Sequence, residues 1–175
     1  MDGRTLETLM KRTQGKLFGG VYASDELSYL NPSTTTFYIV NTHPRNQPGE
    51  HWLALTVEGN GVATFFDAYG YPPDFNYYPQ TILAFLEKHA HLIFYHNYQL
   101  QNELSVTCGQ HCVYYLIHRG CGLSYNDVLA CYSNDTIKND ALVSTFVKHY
   151  QTCNTGGCAG QQTCSFEKFK KCHCL

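Results

Sequence analysis

A thiol, an imidazole, a carboxylate and a carboxamide brought to one place are the parts from which thiol hydrolases are built. In this chain the candidates are Cys108, His51, Asp67 and Gln101. The stretch TCGQHCVYYLIHRG, residues 107 to 120, begins where a loop gives way to helical periodicity. The unpaired amides and positive dipole end of such a helix favour thiolate over thiol at Cys108. A buried cysteine packed as a small hydrophobe is the other reading of the same position. His51 opens HWLALTVE after a Pro/Gly loop, and Asp67 lies near the end of VATFFDAYG, with GNG between the two segments as a hairpin signal. If the hairpin closes at about position 60, His51 and Asp67 lie on neighbouring strands, and a slight stagger brings them within reach. Taken one at a time, His51 also reads as a solvent-facing strand residue, Asp67 as a turn former and Gln101 as a solvated loop residue. Set together they supply a nucleophile, a base and its orienting group. The side-chain NH2 of Gln101, seven residues before Cys108, adds an oxyanion donor beside the Cys108 backbone N–H.

The elements that must position these groups are legible in outline. TLETLMKRT places Leu6, Leu9 and Met10 at helical spacing behind Thr5 as a cap. GKLFGGVYASDELSYL reads as a Gly-hinged loop leading into a second short element, and TTTFYIVNT, residues 34 to 42, as a strand. HPRNQPGE is a loop, followed by the two hairpin strands that carry His51 and Asp67. After the turn YGYPP, QTILAFLEKHAH predicts a helix and LIFYHNYQLQ a further strand. A helix runs from Cys108 to about His118, with Gly120 as its stop. SYNDVLACYS and NDALVSTFVKHYQ predict two more, the second capped by Asn139 or Asp140.

A length of 175 residues, 43% hydrophobic and 14% aromatic, fits one domain with a real core and excludes disorder over most of the chain. A formal net charge of -2 lacks the basic footprint of a DNA-binding domain. The first twenty residues hold acidic side chains and no apolar run of signal-peptide length, and no segment approaches the roughly 18 apolar residues of a membrane span. An intracellular, soluble chain is expected. In a reducing compartment the nine cysteines read as thiols, metal ligands or a nucleophile before they read as a disulfide framework. None precedes Cys108, four lie from Cys108 to Cys131, and five fall in the tail from Cys153 to Cys174. Cys112, one helical turn after Cys108, and Cys121 and Cys131 read as core thiols.

The ordered series YIVNTHPRNQPGEHWLAL, FFDAYGY and QNELSVTCGQHC resembles the adenovirus protease (adenain) family, with its relatives in adenovirus-like viruses and polinton-type elements, and more distantly the SUMO-specific proteases. The likeness covers roughly residues 17 to 150. It implies an α+β, papain-like or adenain-like cysteine protease fold: a central mixed β-sheet packed by helices, with the nucleophile at a helix N-terminus. It further implies Cys108 as nucleophile, His51 as general base and then acid, Asp67 as the group orienting His51, and Gln101 as oxyanion donor. Trp52, beside the base, would wall a narrow cleft that admits small residues such as glycine; a large core aromatic is its other reading. Asn102 stands where the SUMO proteases place their oxyanion glutamine, whereas Gln101 fits the adenovirus spacing. The acid is Asp67 where adenovirus enzymes typically carry Glu. Those enzymes resemble one another in being activated by DNA and by a viral peptide tethered through a cysteine upstream of the nucleophile. No cysteine precedes Cys108, so that tether cannot form in the same place, and the net charge of -2 argues against a DNA cofactor.

The resemblance thus implies a viral cysteine endopeptidase of virion and host nucleus. It would act as a monomer, without membrane, on Gly-containing sites of viral precursor proteins during virion maturation. No cofactor is needed for the chemistry, with an activating peptide or DNA as the family's extras. Residues 1–150 form the expected protease domain and 151–175 a Cys-rich tail. There Cys153, Cys158, Cys164, Cys172, His173 and Cys174 leave zinc binding, disulfides and a loose tail as alternatives. Two other functions share the same residues: an isopeptidase acting on ubiquitin-like modifiers, and a non-catalytic, zinc-stabilised virion or interaction protein.

Overall fold

Hydrophobic residues follow one another almost without polar breaks in TFYIVN, WLALTV and VATFF, as strands covered on both faces require. The computed structural model, which describes residues 1–152, places these segments at the centre of one five-stranded sheet. The strands are β1 (Phe18–Ala23), β2 (Thr36–Asn41), β3 (Trp52–Val57), β4 (Val62–Phe66) and β5 (Leu92–Phe94), in that order across the sheet. The central three pair antiparallel, while β1 lies parallel to β2 and β5 parallel to β4. This is the mixed α+β sheet expected. Its helices are α1 (Gly3–Gln14), α2 (Gln80–His89), α3 (Cys108–Gly120), α4 (Tyr125–Leu129) and α5 (Thr136–Thr152).

Strand alternation sorts the core into two layers. Phe37, Ile39, Ala54 and Phe66 join Leu6 and Met10 of α1, Tyr115 of α3 and Val143 of α5. Tyr38, Val40, Leu53, Leu55 and Phe65 pack instead with Leu27 and with Ile82 and Leu86 of α2. The polar groups of the first layer satisfy one another: Thr56 Oγ1 lies 2.6 Å from Thr64 Oγ1, which lies 2.5 Å from the Tyr115 hydroxyl. This hydroxyl chain fastens α3 to β3 and β4, and with them the helix start that carries Cys108.

Several local expectations change. Asp2, not Thr5, caps α1, because its carboxylate accepts both the Thr5 N–H at 3.0 Å and the Thr5 hydroxyl at 2.8 Å. FGGVYA is a strand, read as a loop for its glycines; a register shift between Phe18 and Gly20 absorbs them. β5 keeps three residues of the longer strand expected. Gly120 ends α3 as its last residue, and the left-handed turn falls at Gly122. α5 starts before both proposed caps, with Asp135 Oδ1 accepting the N–H groups of Ile137 and Lys138. Cys112 is fully buried, whereas Cys121 and Cys131 are only partly covered. The zinc and disulfide expectations for the tail fall on residues 153–175, outside the described residues. Among the described residues no helix is long and apolar enough to cross a membrane.

Candidate active site

The β3–β4 hairpin pairs Thr56 with Thr64 and Ala54 with Phe66, which centres it on Asn60. Extending that register beyond the last paired residues sets His51 opposite Tyr69, and Asp67 two residues away on the same side. Both contacts are present. The Tyr69 ring stacks on the imidazole with centroids 4.9 Å apart, and His51 Nε2 lies 2.6 Å from Asp67 Oδ1. The stagger that brings base and acid together is therefore a diagonal pairing of two residues. The Thr42 N–H, donating to the His51 carbonyl at 3.0 Å, ties the base to the end of β2.

Asp67 is 1% exposed, so its charge must be met by protein donors. Besides His51, its carboxylate accepts the Tyr69 N–H at 3.0 Å, the Tyr71 N–H at 2.9 Å and the Tyr78 hydroxyl at 2.8 Å. The backbone donors come from the turn that follows β4. It closes through Gly70 N–H to the Asp67 carbonyl at 2.9 Å, with Gly70 at φ 77°. A side chain on Gly70 would also meet the Tyr98 carbonyl oxygen at 2.4 Å, so glycine is required on two counts. Burial pushes the Asp67 carboxyl up, but the His51 hydrogen bond and charge, with the turn and Tyr78, hold it below its ordinary value.

Cys108 is the first residue of α3, and its thiol lies close enough to the His51 imidazole for each to shift the other's ionisation. With Nε2 engaged by Asp67, the remaining ring nitrogen, Nδ1, is the one available to sulfur. Gly109 lets the helix start close: a Cβ there would stand 3.3 Å from Met1 Cβ and 3.4 Å from Leu6 Cδ2 and Trp52 Cδ1. Burial opposes ionisation of both partners, yet each is shifted toward its charged form. Asp67 and Cys108 raise His51 to about 9, and His51 with the backbone at Trp52 and Gly109 lowers Cys108 below an ordinary thiol. Thiolate beside imidazolium is a nucleophile with a proton donor at hand. Cys112 differs sharply: fully buried, its thiol pushed well up by burial, it donates to the Trp52 carbonyl at 3.3 Å.

His51, Gln101 and Cys108 line one cavity of about 370 Å³ together with Tyr69, Tyr71, Phe75, Tyr77 and Tyr78. The backbone N–H groups of Leu100 and Gln101 both donate to the Ala68 carbonyl, at 2.8 and 2.9 Å, so the Gln101 loop hangs from the turn beside Asp67. Gln101 Nε2 donates to the Ser105 carbonyl at 3.1 Å and the Tyr69 hydroxyl at 3.3 Å. The Asn102 side chain points elsewhere, accepting the Leu104 N–H and reaching Thr136. Trp52 donates from Nε1 to the Met1 carbonyl at 3.1 Å and lines a neighbouring cavity of about 520 Å³ with α1 and β1. The structure thus gathers Cys108, His51, Asp67 and Gln101, and sets Trp52 beside that group rather than on the same cavity wall. Sequence reasoning missed the tyrosines that hold Asp67 and form the cleft. Their signal was the aromatic density of YGYPPDFNYYP immediately after the acid.

Residues 18–156 match the family described as adenovirus endoprotease. The chain belongs to the adenovirus endoprotease family. Its mixed sheet and helices are those of the expected fold. The crystal structure of the ASFV protease superposes with a TM-score of 0.57 at 16% identity, covering 80% of this chain and 64% of the ASFV protease. At that identity the likeness concerns the fold. The central domain of an uncharacterised Legionella pneumophila protein aligns with a TM-score of 0.49 at 15% identity, over 86% of this chain and 97% of that domain. No curated protein sequence matches this chain. Among the described residues no group of three or more His, Cys, Asp or Glu side chains is disposed to hold a metal ion.

Proposed function

We propose that this chain is a viral endopeptidase cleaving Gly-containing sites in viral precursor proteins, with Cys108 as nucleophile and His51, Asp67 and Gln101 as its partners. The observation that carries the reading is the His51–Asp67 bond on one cavity with Gln101 and with Cys108 at a helix N-terminus, both thiol and imidazole being shifted toward charge. The Cys108 thiolate attacks the scissile carbonyl carbon, and the C–S bond forms as the carbonyl electrons move to oxygen. That oxyanion accepts from the Cys108 N–H and from Gln101 Nε2, whose longer contact, 3.3 Å to Tyr69, is the one exchanged for substrate. Imidazolium His51 then gives its proton to the leaving amine as the C–N bond breaks. Water attacks the thioester, His51 takes its proton, and the acid product leaves with the thiolate restored. Asp67 fixes the ring and its charge throughout.

Support for small residues beside the scissile bond comes from the aromatic lining of the cavity that holds Cys108, where Tyr71 and Phe75 stack with centroids 4.0 Å apart. Trp52 confines the neighbouring side in this reading. Residues 1–150 make up the protease domain and 151–175 an appended tail, with virion and host nucleus as the sites of action. Cys108→Ala is expected to abolish hydrolysis of a Gly-Gly fluorogenic peptide while its circular dichroism spectrum stays that of the parent. Retained cleavage would sink the assignment. The same assay with viral peptide or DNA added tests activation, and a panel of ubiquitin and SUMO probes separates endopeptidase from isopeptidase.

A further inference from the structure

A second His–Asp pair lies behind the first. His111 of α3 is fully buried, and its Nε2 stands 2.9 Å from Oδ1 of Asp140, in the second turn of α5. The same Oδ1 accepts the Thr107 hydroxyl at 2.7 Å, and Oδ2 accepts the Asn102 N–H at 3.2 Å; the Ser105 hydroxyl lies 2.9 Å from that of Thr107. Next to it, Asn139 Nδ2 donates to the Leu100 carbonyl at 3.0 Å. Consecutive residues of α5 therefore pin the backbone on both sides of Gln101. Thr107 immediately precedes Cys108 and His111 follows in the next turn, so Asp140 also holds the start of the nucleophile helix. The Ser105 carbonyl, which anchors Gln101 Nε2, belongs to the loop so clamped.

We propose that Asp140 is a positioning residue that fixes the spacing between the two oxyanion donors, the Gln101 carboxamide and the Cys108 amide. The proposal rests on the reading of those two groups as oxyanion donors. One carboxylate grips both the loop that presents the first and the helix turn that presents the second. Arginine or lysine in its place would supply only donors, whereas the groups around it are themselves donors: an N–H, a hydroxyl and an imidazole N–H. With its Nε2 proton given to Asp140, His111 Nδ1 faces the Tyr132 hydroxyl at 3.3 Å, so the imidazole is engaged at both nitrogens and takes no part in the chemistry of Cys108.

Asp140→Asn keeps the size and turns one acceptor into a donor, leaving the clamp incomplete. Hydrolysis of the Gly-Gly peptide is expected to lose roughly 10- to 100-fold in kcat with KM within about threefold, the range for a misplaced oxyanion donor. Alkylation of Cys108 by iodoacetamide, followed by mass spectrometry against pH, has no oxyanion and is expected to stay within about twofold of the parent at every pH. Combined with Gln101→Ala, the loss is expected to be no greater than for Gln101→Ala alone, because a donor already removed cannot be misplaced. Alkylation falling in proportion to kcat, or losses that multiply in the double variant, would overturn the proposal in favour of a general structural role. Full activity of Gln101→Ala would overturn the donor reading beneath it, a result distinct from either. Should Asp140→Asn not fold, Thr107→Val removes a single arm. A drop of about 3- to 10-fold in kcat at unchanged alkylation supports the clamp, and unchanged kcat overturns it.

Discussion

At Cys108 two effects act on one sulfur. Burial, the largest single effect, raises the thiol, and the His51 imidazole with the backbone at Trp52 and Gly109 together bring it below an ordinary thiol. The reciprocal shift takes His51 to about 9, and this sets the pH behaviour. Alkylation of Cys108 is expected to be fast below the ordinary thiol range and to depend on His51, and kcat/KM to fall on the alkaline side near pH 9 as the imidazolium is lost. A stopped assay across pH 5 to 10 checks both, and an alkaline limb near 6.5, the ordinary imidazole value, would contradict the pairing. The sign for stability follows from the direction. A folded-state value raised above 6.5 stabilises the fold fully below that pH, and the contribution disappears as pH rises through about 9. The parent is therefore expected to lose stability relative to His51→Ala between those limits in urea melts. Asp67→Asn removes the negative partner and sets an amide among donors. Activity is expected to drop by roughly 10²-fold or more, with the alkaline limb moving to lower pH.

At the scale of elements, the turn after β4 decides the site. It gives Asp67 two backbone donors and hangs the Gln101 loop from Ala68, and its closure depends on Gly70. Gly70→Ala must adopt φ 77° and meet the Tyr98 backbone, so a loss above about 2 kcal/mol is expected in denaturant titration, with cleavage lost in step. The hairpin, α3 and the base–acid stagger were legible in the sequence because two strand-like segments around GNG and a cysteine at a helix start are local signals. β1 was not, since its pairing with β2 overrides the turn preference of Gly19 and Gly20. The start of α5 was misread because Asn139 and Asp140 have cap chemistry but spend it on Leu100, Asn102, Thr107 and His111, far away in the chain. Spacing cannot reveal a long-range hydrogen bond. The adenovirus spacing favoured Gln101 over Asn102, and the loop's suspension from Ala68 turns the Gln101 carboxamide to the cavity and that of Asn102 to α5.

Across the whole molecule one sheet divides two cores, and only one of them carries the nucleophile helix. Leu86→Ala on α2 opens a cavity in the layer away from α3 and is expected to cost about 2–5 kcal/mol of stability. Alkylation of Cys108 in the surviving folded protein should stay at the parent rate, which stability and labelling measurements on one sample would establish. Loss of reactivity at full folding would mean that the two layers communicate through the sheet. A different kind of dependence follows from the Ala68 carbonyl, which receives two N–H groups of the Gln101 loop one residue after Asp67. The acid's side-chain length and the oxyanion loop's height above the cleft form a single mechanical variable. A glutamate at position 67, one methylene longer, reaches the same imidazole only if the turn retreats, and the retreat drags Gln101 with it. Exchange between Asp and Glu at this site is thus not a local edit: it demands a compensating change across the cleft, and chains that differ here should differ in the loop as well.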